Sequence, residues 1–259
     1  MKPLWPEYIA IFAIGSAIGS FLNVVIHRVP KGESIVSPPS HCPICGHRIK
    51  PYENIPILSY LLLRGKCSGC GKRISWRYPL VESLMGFMAI ILLYQYGWSH
   101  NLIVFGVFSA FLISLSAIDI ATFRLPNVLT YTGAIAGVAL TIAFKRDYVW
   151  DMILGSLVGF GVLILMSLIG TLLFRKESLG VGDLKLGAMI GLYLGPAKTA
   201  GMFICGVFLG ALIGGAMILF GGRKFGQKIP FGPYLAAGAI VSLFLGNILW
   251  RWYSGMVGL

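Results

Sequence analysis

Asp119, in LISLSAIDIATFRLPN, and Asp183, in SLGVGDLKLG, each stand at the end of a long apolar run in a chain with only nine acidic residues. A carboxylate at membrane depth is costly to desolvate and marks a functional site by default. Two carboxylates held close together cannot readily both ionise, so they share one proton and titrate as a coupled unit. Such a pair can activate water with one member while the other polarises a peptide carbonyl. A proton or ion relay in a transporter uses the same equipment, and a lone aspartate at a span end is often only interfacial. If Asp183 opens a helix and Asp119 closes one, the helix dipoles favour Asp183 as the anion and Asp119 as the protonated partner.

The second constellation is thiol. Cys42-Pro-Ile-Cys45 and Cys67-Ser-Gly-Cys70 form two C-x2-C knuckles separated by 21 residues. Four thiolates at this spacing can close a tetrahedron around Zn²⁺, and Gly46 and Gly71 suit the tight turn after each pair. The alternative is two disulfides or four unrelated thiols, which a reducing compartment disfavours. His41 and His47 flank the first knuckle and read as surface residues, because four cysteines already fill the site. Cys205 stands alone in an apolar run and reads as packing.

The elements that must position these groups are membrane helices. Of 259 residues, 57% are hydrophobic and 12% charged, with mean hydropathy +0.83, whereas a soluble domain carries about 25% charged residues. The expected fold is an all-α polytopic membrane protein of about eight transmembrane helices with a small cytosolic zinc-binding insert. The spans are expected near 7–27, 79–97, 101–121, 128–144, 149–174, 183–195, 198–220 and 232–250. The domains expected are a first transmembrane helix (1–27), a zinc-binding loop (28–78) and a membrane core (79–259).

With the N-terminus outside, sixteen of the 21 Lys and Arg fall on inner segments; the outer ones are Lys2, Lys145, Arg146, Lys198 and Arg251. That obeys the positive-inside rule and puts the zinc loop and both aspartates at the cytoplasmic face. The net charge of +12 is therefore a topology signal, and nucleic acid is not expected as a partner. Residues 1–27 read as a retained anchor rather than a cleaved signal, since the positive flank follows the apolar run. No internal repeat stands out.

Around the aspartates, Leu125-Pro126-Asn127 should stop the helix that carries Asp119, with Asn127 capping the next. Gly180 and Gly182 allow irregular backbone ahead of Asp183, which at membrane depth usually lines a cavity. Lys185 does not face Asp183, being two residues away on a helix; it is expected to snorkel or to meet a substrate carboxylate. Gly187, Gly191 and Gly195, and likewise Gly206, Gly210 and Gly214, repeat every four residues and read as helix-packing faces.

This ordered set resembles the type IV prepilin peptidases, membrane aspartic proteases of bacterial pilus and type II secretion systems. The likeness covers nearly the whole chain: GSFLNVVIHRVP at 19–30, both knuckles, NIPILSYLLLRGKCSGCGKRISWRYPLVE at 54–82, Asp119 with LPN after it, and Gly180-Val181-Gly182-Asp183-Leu184-Lys185. The resemblance implies cleavage of a short basic leader from prepilins or pseudopilins at the cytoplasmic face of the inner membrane. It further implies methylation of the new N-terminal amine by S-adenosylmethionine. By motif position, Asp119 and Asp183 would be catalytic, Gly180, Gly182 and Lys185 would shape the site, and Cys42, Cys45, Cys67 and Cys70 would hold structural zinc. No G-x-G-x-x-G turn supports a Rossmann-type cofactor site, so the methyl-donor site is left unassigned, and Glu53, Asn54 and Glu82 read first as structural. The rival readings are a peptidase alone with a structural zinc module, and a transporter using the aspartates as a proton relay.

Overall fold

The computed structural model describes residues 3–175, 179–219 and 229–257, and these are mostly helical. The α-helices are α1 (Trp5–Arg28), α2 (Leu58–Leu62), α3 (Arg77–Tyr96), α4 (His100–Thr122), α5 (Asn127–Phe144), α6 (Val149–Phe174), α7 (Val181–Leu219) and α8 (Gly232–Val257). Among the described residues no strand forms; there are only two isolated bridges, His41 to Arg48 and Lys66 to Arg73. Among the described residues six segments are long and apolar enough to cross a membrane, and Gly232–Gly246 in α8 is a shorter apolar stretch. The crossings expected at 183–195 and 198–220 are two arms of α7, broken where Gly195 adopts φ 71°, ψ 175° ahead of Pro196. A glycine takes that φ without a Cβ clash, and proline cannot continue the hydrogen-bond ladder. Tyr148 donates its hydroxyl hydrogen to the Leu194 carbonyl at this break, across 2.8 Å. Lys176, Arg223, Lys224 and Lys228, assigned to the inner face by the charge pattern, lie outside the described residues.

The chain divides into two compact units, Met1–Ser114 and Leu115–Leu259, with the boundary inside α4. In the first, α1 packs on α3 through small residues. A Cβ on Gly15 would stand 2.8 Å from Ala89 Cβ, and one on Gly19 would stand 2.7 Å from Glu82 Cα. The helices meet at backbone distance, as small-xxx-small faces allow. Buried polar groups then tie down the long loop. Arg28 donates to the carbonyls of Ser34 (2.9 Å) and Pro38 (2.7 Å), and Asn23 Nδ2 donates to Tyr78 O at 3.1 Å. Glu82 accepts the N–H of Ile57 at 2.8 Å.

In the second unit Gly187, Gly191 and Gly206 meet a neighbouring helix closely, whereas a Cβ on Gly210 or Gly214 would make only ordinary contacts, at 3.6 and 3.7 Å. A Cβ on Gly155 would overlap Gly191, and one on Gly159 would overlap Gly187, so α6 and α7 touch along glycines. On the next face, a Cβ on Gly238 of α8 would meet Met202 O at 2.5 Å. Tyr193 donates to Gly133 O at 2.8 Å and fixes α7 to α5. Leu165, Leu168, Leu172 and Leu173 of α6 stay exposed; hydrocarbon, not water, suits such a face.

Candidate active site

Asp119 lies three residues before Thr122, the end of α4, and is only 5% exposed. Beyond it Phe123 adopts φ 54° and ends the helix, its N–H donating to Asp119 O at 2.8 Å. The side chain accepts at Oδ2 the N–H of Gly232, 2.9 Å away, where α8 begins. Asp183 is the third residue of α7. Its Oδ2 accepts the N–H of Gly180 at 3.3 Å, while its own N–H donates to Gly180 O at 3.0 Å. The Asp183 side chain thus supplies the N3 half of a capping box, the half that is left when the residue ahead of the helix is glycine. Both carboxylates belong to the Leu115–Leu259 unit.

The expected dipole contrast does not hold. Asp119 does end its own helix, but it faces the first N–H of α8, so both carboxylates sit at the positive end of a helix. The described hydrogen bonds use Oδ2 of each side chain.

Gly180 is exposed. Gly182 lies against Leu125, with room for a Cβ only at 3.1 Å from Leu125 Cβ. Lys185 donates to Asn127 Oδ1 at 2.9 Å and lies 5.1 Å over the ring of Tyr131. It therefore clasps the starts of α7 and α5. Asn127 is not the cap expected of it: Pro126 holds the N-cap position without a side-chain bond, and Asn127 opens α5 and receives Lys185. Gly232 was missed from sequence, although Pro230-Phe-Gly-Pro233 is a legible helix entry.

The four cysteines meet in the Met1–Ser114 unit. Their Sγ atoms all lie within 4.8 Å of one another, with Cys42 to Cys70 and Cys45 to Cys67 both at 4.0 Å. Tetrahedral thiolates about 2.3 Å from a metal lie about 3.8 Å apart, so the cluster fits a metal ion with little adjustment. Each knuckle closes in the same way. Cys42 N–H donates to His47 O and Gly46 N–H to Cys42 O; Cys67 N–H donates to Lys72 O and Gly71 N–H to Cys67 O, all at 2.9 Å. Gly46 and Gly71 take φ 71° and 70°. The knuckles are a local repeat after all, C-x-x-C-G-x-R-I at 42–49 and 67–74. Backbone N–H groups of Cys45 and Ile44 bring the Cys42 thiol down to about 6, the thiolate form that a metal takes.

His47 stays off the metal cluster. Its Nε2 lies 3.1 Å from Ser68 Oγ and 3.4 Å from Glu53 Oε2, joining the first knuckle to the second. Glu53 also accepts the Lys50 N–H at 2.9 Å, and this bond chiefly holds its carboxyl at about 2.

Comparison with known proteins places these groups in context. Residues 13–96 match the bacterial peptidase A24 N-terminal domain, and residues 106–215 match the type IV leader peptidase family. The four cysteines fall in the first match and both aspartates in the second. A prepilin leader peptidase/N-methyltransferase of Myxococcus xanthus is 43% identical over 82% of this chain, which spans 64% of that protein's length. Proteins of the same name from Aeromonas hydrophila and Pseudomonas aeruginosa are each 33% identical, over 96% and 95% of this chain and 94% and 92% of their own length. No solved structure matches the chain.

Proposed function

This chain belongs to the type IV leader peptidase family, and on that premise we propose that it is a membrane aspartic endopeptidase that removes the short basic leader of prepilins or pseudopilins. Asp119 and Asp183 are the catalytic pair. The observation that carries this reading is their matched seating within one unit: each accepts a helix N-terminal N–H through Oδ2. One carboxylate takes a proton from water as it attacks the scissile carbonyl, and the protonated partner donates to the carbonyl oxygen. The leaving amine then collects a proton from the pair. Glycine just before the scissile bond suits this step, because a bond in regular helix must unwind to be reached.

The chain resides in the bacterial inner membrane, N-terminus outside, with zinc loop and aspartates facing the cytoplasm. The distribution of Lys and Arg supports that orientation. Zinc is the metal of the Cys42, Cys45, Cys67 and Cys70 cluster: four thiolates in a closed tetrahedral set suit structural Zn²⁺. The second activity is methylation of the newly exposed N-terminal amine with S-adenosylmethionine as donor. Gly180, Gly182 and Lys185 shape the approach to Asp183. A transporter reading has no further support from the site.

The test incubates purified wild type, Asp119→Asn and Asp183→Asn with a prepilin and S-adenosylmethionine, and reads products by intact mass. Leader loss with wild type alone, and one methyl group on the product, are expected. Cleavage persisting in both variants overturns the assignment of the pair.

A further inference from the structure

Residues 54–63, NIPILSYLLL, carry no charge, and charged residues flank them: Lys50 and Glu53 before, Arg64 and Lys66 after. At ten residues the stretch is too short to cross a bilayer and suits an interfacial or re-entrant segment. Its fold is inverted for a loop in water. Leu58, Leu61 and Leu62 of α2 are 57%, 64% and 80% exposed, while the backbone is turned inward. Leu58 N–H donates to Pro56 O, Ser59 N–H to Ile55 O, Leu61 N–H to Ile57 O, Leu63 N–H to Ser59 O and Gly65 N–H to Tyr60 O. Ser59 Oγ donates to Ile55 O as well, at 2.7 Å. Water disfavours a leucine face and could bond such a backbone itself, whereas hydrocarbon demands both features.

Position along the membrane helices points the same way. Ile57, where the chain turns at φ 65°, ψ −50°, donates its N–H to Glu82, five residues inside α3. At 1.5 Å per residue Glu82 stands about 7.5 Å beyond Arg77, where the span begins. Its side chain leans back toward the helix start, so Ile57 lies alongside the first turns of the span. On α1, Pro56 shares a cavity of about 330 Å³ with Ala17, Ser20, Phe21 and Val24. Ala17 is eleven residues before Arg28, the end of α1, so the insert lies against the flank of that helix and not beyond its tip. All these contacts fall within the Met1–Ser114 unit. Phe21 on α1, and Leu80 and Leu84 on α3, are exposed at neighbouring levels.

We propose that residues 54–63 form a re-entrant segment immersed in the leaflet that α3 enters, with Leu58, Leu61 and Leu62 in its hydrocarbon and Arg64 and Lys66 at its phosphates. With the orientation proposed above, this is the cytoplasmic leaflet. The chain descends past Asn54, turns at Ile57 and returns through α2. The Ile57 N–H has no backbone acceptor among the described bonds, and the buried Glu82 carboxylate satisfies it. An unmet N–H at this depth would be costly, which gives Glu82 its place in the fold. Arg64 and Lys66 are exposed just past α2, where long cationic side chains reach anionic headgroups. The two cysteine knuckles, one on each side of the segment in sequence, are thereby moored at the membrane surface.

The experiment uses the full chain in liposomes of phosphatidylethanolamine and phosphatidylglycerol, photolysed with a lipid-soluble aryl diazirine and mapped by peptide mass. Label is expected on Leu58, Leu61 and Leu62 as heavily as on Leu84 and Phe87, exposed residues of α3, and not on the knuckle peptides. A second reading uses a spin label at Leu62→Cys in a Cys205→Ser background with the thiol cluster metal-loaded. Oxygen is expected to relax that label and a water-soluble nickel complex is not, with the reverse at Glu33→Cys, which is exposed in the loop. Photolabel missing from 58–62 while Leu84 and Phe87 take it, or nickel relaxation at Leu62, overturns the immersion. The leucines would then be a face for water or for a partner protein.

Discussion

Gly232 donates its N–H to Asp119 Oδ2 across 2.9 Å, and a Cβ on the same glycine would stand 2.8 Å from that oxygen. The first residue of α8 thus fixes a side chain on α4, and leaves no room for the carboxylate to stay in place beside an alanine. Gly232→Ala should therefore displace Asp119 while leaving the helices intact. A misplacement on the order of 1 Å costs about 100-fold in rate, so leader cleavage should fall by about that factor with little change in thermal stability. A Gly232→Ala enzyme that cleaves at the wild-type rate would show that Asp119 needs no such anchor.

Asp183, proposed above as a reactive carboxylate, also caps α7 through Gly180. Asparagine keeps an oxygen to accept the Gly180 N–H, whereas alanine loses it. Both substitutions should abolish leader cleavage. Only Asp183→Ala should also lower stability, by about 1 kcal/mol as for other lost caps. Thermal melts in detergent beside cleavage assays separate the two duties. Equal melting temperatures for the two variants would remove the capping role.

The groups legible in the sequence were those with a local pattern: carboxylates closing or opening apolar runs, and thiols at knuckle spacing. Asp119, Asp183 and the four cysteines carry their context within a few positions. What escaped reading depends on partners far apart in the chain. Gly232 meets Asp119 across 113 positions, Lys185 meets Asn127 across 58, and Glu82 meets Ile57 across 25. None leaves a spacing signal. The dipole assignment failed for the same reason: it counted the helix that carries Asp119 and not the helix that Asp119 faces. Asn127 misled because its position fits a cap while its side chain is engaged by a lysine. The break at Gly195 and Pro196 was visible, since backbone chemistry is local.

Gly159 and Gly161 sit two residues apart on α6 in opposite surroundings. A Cβ on Gly159 would overlap the Gly187 carbonyl of α7, while one on Gly161 has nothing within 4 Å. Gly159→Ala should force the helices apart and destabilise the second unit by about 1–3 kcal/mol, the range for overpacked cores. Gly161→Ala should be neutral or slightly stabilising, because alanine is the better helix former. Melting temperatures of the two single variants check this, and a destabilised Gly161→Ala with an unaffected Gly159→Ala would contradict the α6–α7 seam.

The thiol cluster predicts one metal ion per chain. Each Sγ is within 4.8 Å of the other three, so losing any one leaves three ligands and an open position. Cys42→Ser should cut bound metal well below one equivalent, whereas Cys205→Ser should leave it unchanged, since Cys205 lies outside the cluster. Elemental analysis of protein purified without added chelator gives the stoichiometry, and X-ray absorption at the zinc edge should show sulfur-only ligation near about 2.3 Å. Strong chelation should then expose the loop, and trypsin should cut at Arg48, Lys66 or Lys72 while the membrane helices resist. In the metal-loaded protein His47 should not bind the ion, because Ser68 and Glu53 hold its Nε2; a nitrogen ligand in the absorption spectrum would refute that placement.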